Sequence, residues 1–124
     1  MERGIPSDMY KEHILELYKS PSNFGILAAP SLQATEYNSV CGDEITVQLI
    51  VKKGKLHDIK FQGSGCVISI VSASMLTDKI KNVSIKDIKK LTGKDVLKML
   101  KIKLNSARIK CALLSLEAVK KALR

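Results

Sequence analysis

The chain has 124 residues, enough for one small domain (1–124) with its own core, and 45% of them are hydrophobic, which excludes a disordered chain. No apolar run reaches the roughly eighteen residues that a membrane helix needs, and "MERGIPSDMYKEH" has no apolar secretory core, so a cytoplasmic protein without membrane contact is expected. The formal net charge is +9, and the three cysteines are an odd number in an expected reducing compartment, so a disulfide framework is not expected.

The first periodic stretch is "SDMYKEHILELYKS", where Tyr10, Ile14, Leu17 and Tyr18 fall on one helical face. Ser7 can cap that helix, and Pro21 forbids its extension past Ser20. "PSNFG" is a turn cluster, and "LQATEYNSV" reads as a strand that breaks at Gly42. In the next run Ile45, Val47, Leu49 and Val51 alternate with Glu44, Thr46, Gln48 and Ile50, the pattern of a half-buried strand. Lys53-Gly54 makes a hairpin turn, and "KLHDIKFQ" returns as the partner until "GSG" ends it. "CVISIVSASMLTDKI" is too long for another strand, and its small residues suit a packed helix. Ser84 with Asp87 and Thr92 with Asp95 can each open a short helix. Ile109, Ala112, Leu113, Leu116, Val119 and Leu123 trace the apolar stripe of a last helix. A helix, three strands and then helices predict an α+β fold, an antiparallel sheet covered on one face. His13 and His57 have no partner motif and read as surface residues.

The charge is uneven along these elements. Residues 1–78 hold 7 basic and 9 acidic side chains, whereas residues 79–124 hold 14 and 3. Such a tail can serve a nucleic-acid surface, a solvated lysine face or an acidic protein partner. With aromatics at 4% and none among the tail lysines, nucleic acid is not the expected partner.

The cysteines occupy particular places in this scheme. Cys41 and Asp43 share the parity of Ile45, Val47 and Leu49, which puts both at the rim of the buried face. Gly42 between them leaves room for a bend or a close approach. Cys66 opens a helix, whose free N–H groups and dipole favour a thiolate. Cys111 lies near the start of the last helix, just after Arg108 and Lys110, two cations that also favour a thiolate. Three thiolates and one carboxylate can close a tetrahedral zinc site or hold part of an iron–sulfur cluster. Three inert small hydrophobes are the alternative reading.

"CGDEITVQL", "GSGCVISIVSASMLTD" and "RIKCALLSLEAVKKAL" resemble the three cysteine motifs of the iron–sulfur cluster assembly scaffolds, the family of IscU, SufU and the N-terminal domain of NifU. "YKEHILELYKSPSNFG" is similar to the family's opening helix and turn, so the resemblance covers nearly the whole chain. It implies a three-stranded antiparallel sheet with helices on one face, of the SufE/IscU type. It also implies Cys41, Asp43, Cys66 and Cys111 as ligands of a transient [2Fe-2S] cluster, of iron, or of zinc at the same site. Ser39 stands where the family usually has proline, Leu17 and Ser22 where histidine and arginine are common, and Lys110 where IscU proteins have histidine. Arg-Ile-Lys-Cys at 108–111 is similar to SufU, but the stretch from Cys66 to Cys111 is short for the SufU insertion.

Two roles follow from the resemblance. In the first, a non-enzymatic scaffold receives sulfur from a cysteine desulfurase, holds a [2Fe-2S] cluster and passes it to apo iron–sulfur proteins or carriers. In the second, a zinc-containing, SufU-like partner of the desulfurase accepts persulfide sulfur. Cys41 and Cys111 are the candidate reactive thiols, and Arg108 and Lys110 the candidate binding cations beside them.

Overall fold

A computed structural model describes the backbone from Ser7 and the side chains from Glu12 through to Arg124. The order is α1 (Ser7–Lys19), β1 (Leu32–Asn38), β2 (Asp43–Lys52), β3 (Lys55–Ser64), α2 (Val67–Ile80), α3 (Ile85–Lys89), α4 (Gly93–Leu100) and α5 (Ser106–Leu123). The strands form one antiparallel sheet in the order β1-β2-β3, as the period-2 pattern requires. Lys53 and Gly54 both take positive φ in the hairpin turn, a twist that suits a two-residue connection. One residue of β3, His57, falls in a bulge opposite Ile50 and Val51, and it is exposed, as is His13.

One face of the sheet carries the core. Ile45, Val47 and Leu49 of β2 and Leu56, Ile59 and Phe61 of β3 are fully buried against the helices. α5 lies over β1 and β2, and α2 packs beside it and reaches β3. The predicted stripe on α5 is buried at Ala112, Leu116, Val119 and Leu123, but Leu114, Ala118 and Ala122 are buried as well. The helix is covered by the sheet, α2 and α4 at once, so one stripe understates its buried surface. The small residues of α2 let it come close to α5: Ser72 Oγ donates to the Ala112 carbonyl at 2.6 Å, and Thr77 Oγ1 turns back to the Ala73 carbonyl at 2.8 Å.

Both predicted caps form: Ser84 Oγ accepts from Asp87 N, and the Asp95 carboxylate accepts from Thr92 N. On α1, Ile14 and Leu17 are partly buried beside α2, whereas Tyr18 is exposed, contrary to the single-face expectation. α1 touches little besides α2, so only a narrow part of its apolar face is covered. The Ser7 cap and the Tyr10 side chain fall outside the described residues. Asn23 and Gly25 bond the backbone of Phe61, and Val83 bonds Leu56, so the outer edge of β3 is occupied. The outer edge of β1 is not paired with a strand among the described residues; there Lys121 Nζ donates to the Thr35 carbonyl at 3.0 Å. Among the described residues no helix is long and apolar enough to cross a membrane.

Candidate metal centre

Two connections and the first turns of a helix meet at one end of the sheet. The β1–β2 turn carries Cys41, the first residue of β2 is Asp43, the β3–α2 junction carries Cys66, and the first turns of α5 carry Cys111. Cys41, Asp43 and Cys111 each place one ligand atom within 4.8 Å of the other two. The Cys41 and Cys111 sulfurs are 3.4 Å apart. Cys66 stands just outside this trio, its sulfur 3.8 Å from Asp43 Oδ2. Cys41 is exposed, Cys66 intermediate and Cys111 buried. Next to Cys41 in the turn, Val40 is also exposed, at 71%.

The local geometry follows from a few residues. Gly42 takes φ 73, a left-handed conformation that closes the turn, and a Cβ there would meet nothing. Its contribution is therefore conformational, and the close approach expected at Gly42 occurs at Gly65 instead. With φ 150, Gly65 lies so near Asp43 that an added Cβ would overlap the carboxylate.

Asp43 was expected at a rim, but it is 1% exposed. The N-cap of α2, Cys66, makes no side-chain cap bond, and Asp43 supplies one from another element. Asp43 Oδ1 accepts from Cys66 N at 3.1 Å, and Oδ2 accepts from Ser69 Oγ at 2.5 Å. Burial opposes its charge, but the bonds from Ser69, Cys111 and Cys66 outweigh that and hold the carboxyl below its ordinary value.

The thiolate expected at Cys111 is overturned. Cys111 is the sixth residue of α5 and fully buried, not at the exposed end of the helix. Burial pushes its thiol up, and the Asp43 carboxylate and the Cys41 and Cys66 thiols push it further. Arg108 and Lys110 are exposed, and among the described residues no ion pair or side-chain hydrogen bond joins either to the cysteines. They stay in water, where a cation does little for a buried sulfur.

Two residues of the site were not anticipated. Ser69 follows Cys66 by three positions, one helical turn, and so shares its face; that spacing was readable. Asn38 Nδ2 donates to Cys111 Sγ at 3.7 Å across 73 positions of sequence, for which no local signal exists.

Three thiols and one carboxylate are a donor set for zinc or iron. Sulfurs on a tetrahedral zinc lie about 3.8 Å apart, given Zn–S bonds of about 2.3 Å. The 3.4 Å between Cys41 and Cys111 is close to that, so the residues present fit such a group.

Residues 9–124 match the family described as the NifU-like N terminal domain. The chain is 35% identical to the iron–sulfur cluster assembly scaffold protein IscU of Thermotoga maritima, covering 94% of this chain and 93% of that one. It is 33% identical to the zinc-dependent sulfurtransferase SufU of Bacillus subtilis, covering 91% and 88%. A crystal structure of a NifU-like N-terminal protein from Brucella abortus superposes with a TM-score of 0.76 over 94% of this chain and 93% of that one; at 22% identity it speaks to the fold alone. On the family match, the identities and the fold together, the chain belongs to the NifU N-terminal domain family, the iron–sulfur cluster assembly scaffolds that include IscU and SufU.

Proposed function

We propose that this protein is an assembly scaffold for a transient [2Fe-2S] cluster, with Cys41, Asp43, Cys66 and Cys111 as its ligands. The observation that carries the reading is the trio of Cys41, Asp43 and Cys111 donor atoms within 4.8 Å, with Cys66 against Asp43. The cluster is cargo, and its sulfur comes from the persulfide of a cysteine desulfurase. Exposed Cys41 is the thiol that such a partner can reach. Its thiolate attacks the outer sulfur of the persulfide, a new S–S bond forms, and the desulfurase cysteine leaves as thiolate. Cys111 must lose its proton to bind, so loading of the site releases a proton from this buried thiol. Asp43 has both oxygens engaged by α2, so it is the ligand most readily returned to the protein when the cargo leaves for an apo-protein.

A second reading is a zinc-holding sulfur acceptor. Its support is Arg-Ile-Lys-Cys at 108–111, together with the 33% identity to a zinc-dependent sulfurtransferase. Anaerobic incubation with a desulfurase, cysteine and iron separates the two. The scaffold reading expects the visible spectrum of a [2Fe-2S] cluster that is lost to an added apo-ferredoxin. Stoichiometric zinc that iron does not replace, with persulfide on one cysteine and no cluster, would overturn it in favour of the second.

A further inference from the structure

Two sulfurs that face one another across 3.4 Å come from segments with no local tie, Cys41 from the β1–β2 turn and Cys111 from α5. One side chain holds both segments. Asn38 is the last residue of β1 and is buried. Its backbone carbonyl accepts from Gly42 N at 2.8 Å, and its Oδ1 accepts from Val40 N at 3.2 Å. The turn on which Cys41 rides is therefore folded around this residue. Its Nδ2 donates to Cys111 Sγ at 3.7 Å. The orientation of the amide is determined by its neighbours. Val40 N–H can only donate, so the amide oxygen faces it and the NH₂ group is left aimed at the sulfur. Serine has one short hydroxyl and cannot meet both partners, and alanine meets neither.

We infer that Asn38 is a positioning residue of the centre, whose side-chain amide holds the Cys111 sulfur toward Cys41 while its oxygens fix the turn that carries Cys41. The inference rests on reading Cys41 and Cys111 as ligands of one site. An N–H donor to a thiolate draws electron density from sulfur and fixes the direction of its lone pairs. Partners of this kind typically carry about 10–100-fold in metal affinity.

The test uses the full chain as wild type, Asn38→Asp and Asn38→Ala, titrated with cobalt(II) without oxygen against a competing chelator. Asn38→Asp keeps an oxygen for Val40 N but offers the sulfur no N–H. Circular dichroism and thermal midpoints establish that each variant is folded. Both variants should bind cobalt about tenfold or more weakly. Both should also shift the thiolate-to-cobalt charge-transfer band to longer wavelength, because sulfur without the donor gives up an electron more easily. A purely structural role would lower the midpoint of Asn38→Ala and leave the band of Asn38→Asp where it is in wild type. Unchanged band and affinity in folded Asn38→Asp overturn the inference.

If wild type itself shows no thiolate–cobalt band, the metal-site reading falls, and a metal-free measurement decides the positional claim. Diamide takes two electrons and two protons from a facing thiol pair to close a disulfide. It should join Cys41 to Cys111 faster in wild type than in either variant, and equal rates overturn the claim.

Discussion

The α3–α4 region and the cysteine end are built on opposite plans. Along α3, α4 and the start of α5, three side-chain hydrogen bonds each close over three residues: Asp87 N to Ser84 at 3.1 Å, Thr92 N to Asp95 at 2.7 Å, Arg108 N to Asn105 at 2.9 Å. Besides the backbone bond from Ile85 N to the Gly54 carbonyl at 2.8 Å, the ties of this region to the rest are mainly apolar, through buried Ile88, Val96 and Leu100. At the cysteine end the bonds cross from one element to another, Asn38 to Cys111, Cys66 N to Asp43, and Ser69 to Asp43. Apolar contacts are non-directional and hold a segment without specifying where an atom sits. Directional bonds between remote segments place atoms, but each leaves a buried polar group exposed to loss if its partner goes.

The sharpest break of this contrast is Leu100→Ala. Truncating a fully buried leucine should cost about 2–5 kcal/mol in urea unfolding. Cobalt affinity under conditions where the variant is folded should stay at the wild-type value, and a parallel loss of affinity would mean the two regions are one cooperative unit. Gly65→Ala tests the other side. Its Cβ must displace Asp43 and strain a left-handed backbone, so we expect about 1–3 kcal/mol of destabilisation together with loss of metal binding. Ser84→Ala removes a local cap and should cost about 1 kcal/mol, with no change in the site. The smallest effect is one of pH. The Asp43 carboxyl is held below the ordinary 3.8, so the stability it contributes is present above that value and is lost as pH falls below it. Urea midpoints of wild type should therefore drop more steeply on acidification than those of Asp43→Asn. Parallel curves would show that the bonds to Asp43 do not favour its charged form.

The same contrast explains what could be read in the sequence. Alternation in β2, the turn at Lys53-Gly54 and the caps at Ser84 and Thr92 are local patterns, and each is present in the fold. The motifs and their resemblance to the scaffold family put Cys41, Asp43, Cys66 and Cys111 in one set, and the structure brings Cys41, Asp43 and Cys111 within 4.8 Å while the Cys66 sulfur lies outside that trio, against Asp43. The state of Cys111 was not legible, because charge neighbours in sequence say nothing about depth, and α5 buries that residue while Arg108 and Lys110 stay in water. Asp43 was placed too far out for a related reason. Parity along β2 gives the face on which a side chain lies, whereas its 1% exposure comes from α2 arriving over it. The contact of Asn38 with Cys111 has no local pattern, because the two residues are 73 positions apart.

Lys121 has a consequence for how copies of this protein meet. β1 is the edge of the sheet, and an edge with free backbone groups is a template on which another strand can add. The ammonium of Lys121 sits on the Thr35 carbonyl, taking one acceptor that an incoming strand would use. It also sets a positive charge at that border. Two copies approaching edge to edge would bring two such lysines together, in a chain whose net charge is already +9. This charge works against self-association along the edge that no strand covers among the described residues, and Lys121→Ala should bring earlier light scattering on concentration at low salt.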